Sequence, residues 1–380
     1  MDFTYDDEQQ ALRDAVRALL ASTYGDYDAR RRTVAEGTGW SEELWGRLAE
    51  MGVLGLPFAE DDGGVGAGPV EIGIVCRELG RVLAPEPYLT GVVLAGGLVA
   101  AAGSPEQRAT LLGAVAAGER VLAFAHQEPD GPRWSSQAPG TTACPDGDGW
   151  TVAGTKDPVL HGARADDLVV SATLPDGGTG LFLVDGDATD RVGYATYDGG
   201  RAARVTLTDV SAVPLGDASA DRSSTVATML DVARVMAGNQ ALGVLQAQLA
   251  TTTSYLTSRR QFGVTLNTFQ SLSFRAADMY VSLELTHSVV DWATMVIGSG
   301  DPTALGDAAA RCGQQVSRAS RHIGQEAIQL HGGIAMTAEY PVGTATAHLT
   351  VLDHLFGDGD HHLGRLAARV TEHETLEALG

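Results

Sequence analysis

At 380 residues, with 44% apolar side chains and a formal net charge of −22, the chain is long enough for two or three domains around a sizeable core. The acidic balance disfavours nucleic acid and anionic membrane surfaces, because phosphate backbones are bound by clustered Lys and Arg. Three distant cysteines without CxxC spacing, Cys76, Cys144 and Cys312, argue against a disulfide framework and a zinc site. No run of about 18 apolar residues is available to span a bilayer. The start, Met1-Asp2-Phe3-Thr4, lacks the basic region of a secretory signal, so a cytoplasmic enzyme is expected.

In chain order, Leu12, Val16, Leu19 and Leu20 predict a helix over 6–22. Asp6 and Gln9 suit a capping box. Ser41 is placed to cap a second helix through Leu44, Trp45, Leu48 and Met51, with Gly52 ending it. Asp61-Asp62-Gly63-Gly64-Val65-Gly66-Ala67-Gly68 looks like a phosphate loop. No strand precedes it and the GxGxxG spacing is missing, so it reads as a turn. Helices follow at 69–83, 88–102 and 105–117.

The pattern then changes. Val121–Ala125, Trp150–Ala153, Leu168–Ala172, Leu181–Val184 and Arg204–Leu207 are strand candidates separated by Gly, Pro and Asp. They predict a compact β-barrel or sandwich ending near Val213-Pro214-Leu215. From about Ser223 the sequence is helical again, at 223–255, 267–298, 303–331, 344–356 and 361–377. Long helices in that number predict an antiparallel bundle. The expected fold is therefore an α+β multidomain chain: helical domain 1–120, middle β domain 121–215, and C-terminal four-helix-bundle domain 222–378.

One stretch interrupts the last region. Ser258-Arg259-Arg260-Gln261-Phe262-Gly263, followed by Phe269-Gln270, sets two cations, an amide, an aromatic and a glycine inside an apolar helical pattern. Arginine's planar fork suits phosphate oxygens, and glycine frees the backbone beside it. Taken alone, the hexapeptide reads rather as a charged helix end with a turn. A second patch, Gln329-Leu330-His331-Gly332-Gly333, lies about 70 residues on and favours the functional reading.

Together the two patches resemble signatures of the acyl-CoA dehydrogenase family, Arg-x-Gln-Phe-Gly and Gln-x-x-Gly-Gly. The resemblance covers nearly the whole chain. It takes in Met1-Asp2-Phe3, Asp7-Glu8-Gln9, Leu54-Gly55-Leu56-Pro57, Asp62-Gly63-Gly64 and the run from Gly332 to Pro341. It implies FAD as cofactor, an acyl-CoA thioester as substrate, a carboxylate that removes the α-proton, and a flavin that accepts the β-hydride. It also implies that Arg259, Gln261, Phe262, Gln270, Gln329, Gly332 and Gly333 contact the FAD of a neighbouring subunit. Phe274 departs from the family's common His.

The half of the flavin site that the family builds within one chain is altered here. Where the family has Thr-Glu-Pro-x-x-Gly-Ser, this chain reads Gln127-Glu128-Pro129-Asp130-Gly131-Pro132-Arg133, and proline offers no N–H to a phosphate. Where it has Gly-x-Lys-x-Trp-Ile-Thr, this chain has Pro158 for the Trp and Leu160 for the Thr. Both family positions for the catalytic Glu lack a carboxylate. One is Ala233, in Leu230-Asp231-Val232-Ala233-Arg234, and the other is Phe356, in Leu355-Phe356-Gly357-Asp358. Asp353, Asp358 and Asp360 are nearby substitutes only if a shorter side chain reaches the same point. The pattern resembles the non-catalytic β chain of α2β2 acyl-CoA dehydrogenases of actinobacterial sterol catabolism. A self-sufficient homotetramer of the same fold is the alternative, either a dehydrogenase with a relocated base or a flavin monooxygenase. A non-enzymatic scaffold is the third reading.

The remaining conspicuous residues have plainer expectations. Asp358, Asp360, His361 and His362 read as a helix start, since adjacent histidines on a helix point about 100° apart; no metal is expected. His331 reads as a packing residue and Glu339 as structural. Ser135-Ser136 lacks a hydrolase nucleophile setting.

Overall fold

The computed structural model describes residues 4–147 and 149–372. Met1-Asp2-Phe3 and the last part of the helix expected over 361–377 lie outside the described residues.

Helix α1, Asp7–Tyr24, starts on the anticipated capping box. The Asp6 carboxylate accepts the Gln9 N–H at 2.8 Å, and Gln9 Oε1 accepts the Asp6 N–H at 3.2 Å. A short helix, α2 (Tyr27–Ala35), was not anticipated. Helix α3, Glu42–Glu50, is capped by Ser41, and Gly52 takes the left-handed conformation at φ 74°. The 61–68 glycine run is a turn region before α4, Pro69–Arg81. A π-helical turn, Tyr88–Gly96, continues into α5, Gly97–Ala102, and α6, Pro105–Ala116, follows.

Seven strands come next: β1 (Leu122–Ala125), β2 (Thr142–Asp146), β3 (Gly149–Leu160), β4 (Asp167–Thr173), β5 (Thr179–Asp185), β6 (Asp190–Ala195) and β7 (Arg201–Pro214). Strand β4 pairs with β5, β5 with β7, β7 with β3, β3 with β2, and β2 with β4. That circuit closes on itself, so the middle layer is a barrel. β1 runs parallel to β4, and β6 lies against β7. The barrel interior holds Val152, Val159, Val170, Phe182 and Val205. Strands β2 and β6 escape a hydrophobic reading because nearly all their residues face solvent. Their register comes from backbone pairing, which leaves no apolar alternation in the sequence.

The last layer is helical: α7 (Ser223–Ser258), a small hairpin of β8 (Arg260–Gln261) and β9 (Val264–Thr265), α8 (Gln270–Ile297), α9 (Pro302–His331), α10 (Pro341–Leu355) and α11 (Gly359–Ala368). Helix α7 is its axis and packs on α4, α8, α9 and α10. The N-terminal helices dock onto it at very short range. A Cβ on Gly243 would sit 1.9 Å from the Arg77 carbonyl oxygen, and one on Gly80 would sit 2.0 Å from that of Gln240. Only glycine allows α4 and α7 to cross so closely. Buried Arg77 adds a polar tie, donating to Asp291 at 2.5 Å and Asn239 at 2.9 Å. One apolar core therefore runs through both helical layers. The order is helical layer, barrel, helical bundle. Among the described residues no helix is long and apolar enough to cross a membrane, and no cluster of His, Cys, Asp and Glu is arranged to hold a metal.

Candidate functional site

The two sequence patches meet at one end of the bundle. Helix α7 ends at Ser258, and the chain reverses through a two-residue turn with φ 52° at Phe262 and φ 83° at Gly263. Positive φ at both central residues is the type I′ geometry that suits strand twist. It is uncommon for an aromatic residue. The Phe262 ring is 91% exposed and meets Phe269 edge-on at 6.2 Å. Arg260 braces the turn by donating to the Gly263 carbonyl at 2.9 Å. Arg259 is exposed and has no side-chain partner among the described residues. Gln270 opens α8, whose first N–H groups carry partial positive charge.

The second patch is stitched to the first by ring packing. His331, the last residue of α9, lies 4.5 Å from the Tyr255 ring of α7 and 5.2 Å from Tyr340. Its Nδ1 contacts the Ala327 carbonyl at 2.8 Å. Burial lowers its pKa below the ordinary histidine range. His331 is thus a buried packing residue that fixes where Gly332 and Gly333 emerge. Gly332 needs glycine for its own φ of 65°. Gly333 has no such need, and a Cβ at either position would meet nothing within 4 Å. Gln329 is exposed beside them. An unpaired arginine, a helix N-terminus and bare backbone facing open space suit a phosphate-bearing ligand approached from outside the chain. This half of the site fits FAD.

The other half is a cleft between the barrel, the π-helical turn, α7 and the end of α10. Phe124, Pro158, Leu160, Leu230 and Phe356 give it apolar walls. Ala233 is 0% exposed and belongs to the core instead. Asp353 lies in an adjoining recess with Arg234 and His362, where burial raises its pKa. Asp358 caps α11 by accepting the His361 N–H at 2.8 Å, and Asp360 is exposed. None of the three lines the cleft. Glu128 is the one carboxylate that does, among the described residues. It accepts from Lys156 Nζ at 2.9 Å and from the Gly140 N–H at 2.7 Å. Burial works to raise its pKa, but those bonds and the Lys156 charge hold it below the ordinary range. Burial lowers Lys156 to about 8 and His126 to about 4. A carboxylate locked in an ion pair is a weak proton acceptor.

A tryptophan bridges this cleft. Trp134 sits at φ 58° in the loop before β2 and donates its Nε1–H to the His354 carbonyl at 3.0 Å. Its ring tilts against His361 at 5.1 Å. Arg234 donates Nε–H to the Phe356 carbonyl at 2.6 Å and pairs with Asp231 at 2.7 Å. The loop that would present N–H groups to a flavin phosphate instead carries Pro132 and is tied to the bundle by Trp134. This half does not fit FAD at those points. Sequence reading compared the Pro132-Arg133 and Pro158 positions but passed over Trp134, Arg234 and the Glu128–Lys156 pair. An aromatic directly after Gly-Pro-Arg was the available signal for Trp134. Nothing local announces a partner 28 residues away.

Comparison with known proteins places this geometry. The family model for the acyl-CoA dehydrogenase N-terminal domain matches residues 6–119, and that for the C-terminal domain matches 224–371. The chain is 30% identical to acyl-CoA dehydrogenase FadE27 of Mycobacterium tuberculosis, over 98% of this chain and 99% of that protein. It is 26% identical to the probable acyl-CoA dehydrogenase YngJ of Bacillus subtilis, over 96% and 98%. Among solved structures it resembles a variant of the Tcur3481-Tcur3483 steroid ACAD, with TM-score 0.87, 32% identity and coverage of 96% and 98%. It also resembles the ChsE4-ChsE5 complex from Mycobacterium tuberculosis, with TM-score 0.88, 25% identity and coverage of 99% and 100%. The chain belongs to the acyl-CoA dehydrogenase family, FAD-dependent oxidoreductases that act on CH–CH bonds.

Proposed function

We propose that this chain is the β-type subunit of a heteromeric acyl-CoA dehydrogenase and completes the FAD site of a homologous partner that carries the catalytic base. The supporting observation is the contrast between its two half-sites. Arg259, Gln261, Phe262, Gln270, Gln329, Gly332 and Gly333 form an exposed patch, in which Gln261 donates only to the neighbouring Arg260 carbonyl and Arg259 has no side-chain partner among the described residues. Of the two base positions, one is Phe356 in the wall of the chain's own cleft and the other is Ala233 in the core. FAD supplies hydride acceptance when bound. This chain's residues supply charge and bare backbone to the nucleotide. Arg259 neutralises phosphate, the α8 N-terminus adds partial positive charge, and Gly332-Gly333 permit close approach. Two structural relatives are described by paired names, and one of them as a steroid enzyme. That pairing favours an α2β2 assembly acting on a bulky acyl-CoA thioester in lipid or steroid catabolism.

The test is expression alone and together with a homologous acyl-CoA dehydrogenase chain from the same host. Flavin absorbance and acyl-CoA oxidation are expected only in the co-expressed complex. Stoichiometric FAD and turnover in the chain alone would overturn the reading. They would support the self-sufficient homo-oligomer, whose one favourable observation is that the chain keeps a cleft of its own at this place.

A further inference from the structure

Behind the cleft lies a second, polar chamber, between the residues before the π-helical turn, the β6–β7 connection, α7 and α10. Glu86, His161, Asp198, Arg201, Gln240 and His348 line it, and the proposed flavin chemistry uses none of them. Most of these groups are matched to one another. Asp198 accepts from Thr196 Oγ1 at 2.5 Å and from the Gly200 N–H at 3.1 Å, and its other oxygen meets His348 Nδ1 at 2.6 Å. The Gln240 amide nitrogen lies 3.3 Å from His348 Nε2. His161 is held between Thr90 Oγ1 at 2.9 Å and the Pro85 carbonyl at 3.0 Å, and burial lowers its pKa.

Two guanidiniums are left without a counter-charge. Arg201, at the start of β7, donates to the Val34 carbonyl at 2.9 Å. Arg30 of α2, buried beside Asp198, donates to the Leu83 carbonyl at 2.6 Å and to the Asp198 carbonyl at 3.4 Å. Among the described residues neither has a carboxylate partner. Glu86 is the other unmatched group. Its Oε1 accepts from Tyr24 OH at 2.6 Å and from the Ser41 N–H at 3.1 Å. Its Oε2 is buried with no partner among the described residues. Burial lifts the Glu86 pKa to about 7, so at pH 6 most of this carboxyl carries its proton. Tyr24 of α1, Arg30 of α2, His161 after β3, Asp198 and Arg201 beside β7, and His348 of α10 are the titratable and charged groups around it. With Glu86 protonated, two guanidiniums stand against one committed carboxylate, that of Asp198. A surplus cation and a buried donor without an acceptor both call for an anion of one charge.

We propose that the chamber is a binding site for a small carboxylate monoanion, held by the Arg201 fork and by the proton on Glu86 Oε2. A planar carboxylate suits the guanidinium fork. One short segment anchors both groups. A Cβ on Gly39 would sit 2.5 Å from Arg201 Cγ, and Ser41, two residues on, donates to Glu86. Ionised Glu86 cancels the surplus charge and withdraws the donor, so anion binding is tied to its proton. The site stands apart from the subunit reading, because it needs neither flavin nor a base, and it places nothing in the cleft.

The probes are acetate and its neutral isostere acetamide, titrated calorimetrically at constant ionic strength into the full chain, alone and co-expressed with its partner. At pH 6 acetate is expected to bind roughly tenfold or more tightly than acetamide, the effect of one hydrogen bond to a charged group. At pH 8 its affinity should fall about tenfold, as the protonated fraction of an acid titrating near 7 does. Arg201→Met should erase the preference for acetate. Glu86→Gln keeps a donor that does not titrate, so acetate should bind it equally at pH 6 and pH 8. No acetate binding, equal affinity for acetamide, or acetate affinity in the parent chain that ignores pH would overturn the proposal. So would undiminished acetate binding in a folded Arg201→Met chain. The parent chain's pH comparison decides the matter without any variant. Flavin absorbance of the chain alone sinks the subunit reading and leaves the acetate result to be read on its own.

Discussion

Arg259 and Glu86 mark two opposite fates of a charged side chain. Arg259 is solvated and unpaired, so its removal costs the isolated fold little. Arg259→Ala should change unfolding free energy by no more than about 0.5 kcal/mol. In a co-expressed complex the same change should weaken FAD retention roughly tenfold or more, the worth of a charge-assisted phosphate bond. Flavin-to-protein ratio after dialysis measures it. Glu86 is buried, and its folded pKa of about 7 stands above the ordinary 4.5. The unfolded chain therefore loses this proton first as pH rises. Between about pH 4.5 and 7 the folded state holds more protons, so Glu86's contribution to stability falls with rising pH, by about 3 kcal/mol in total. Denaturant melts across that range should show the slope in the parent chain and its loss in Glu86→Gln. Identical slopes would refute the buried, protonated acid.

At the scale of elements, the loop before β2 is fastened by one ring. Trp134 joins it to α10 through the His354 carbonyl and to α11 through His361. Trp134→Ala removes the donor and the ring contact together. A cost of about 2 kcal/mol is expected, with faster proteolytic cleavage in the 126–141 loop than in the parent chain. Unchanged cleavage would show that Arg234 and the Glu128–Lys156 pair hold the loop unaided. The hairpin after α7 is a contrasting case. It is short and exposed, with β8 and β9 of two residues each. Its position comes from the turn and from its tether to α8. The sequence pointed to the residues of that hairpin through their poor fit to a helical stripe. The turn type was not legible, because Phe262 at positive φ goes against its residue preference.

Across the whole molecule, α8 leaves an apolar face uncovered. Phe274, Val281 and Leu285 recur at helical spacing and are 60%, 56% and 59% exposed. Such a stripe beside the exposed flavin-motif patch suits the subunit contact of the proposed assembly. Leu285→Asp should shift the assembly toward smaller species in sedimentation velocity with an unchanged far-UV spectrum. An unaltered distribution would place the subunit contact elsewhere.

The order of helical layer, barrel and bundle was determined by local signals: apolar periodicity, caps such as Asp6 and Ser41, and Gly/Pro punctuation. The outer strands β2 and β6 carry no such signal, since backbone pairing sets them and solvent covers their side chains. The family motifs pointed to seven residues that the fold leaves exposed at one end of the bundle, and absence alone singled out Ala233 and Phe356. Tertiary structure decided what stands in their place. It sent Ala233 into the core, put Phe356 in the cleft wall, and drew Trp134 across to α10. It also gathered Glu86, Asp198 and His348 into one chamber from three separate layers. Contacts between residues more than a hundred positions apart depend on how the layers dock, and no local pattern encodes that docking.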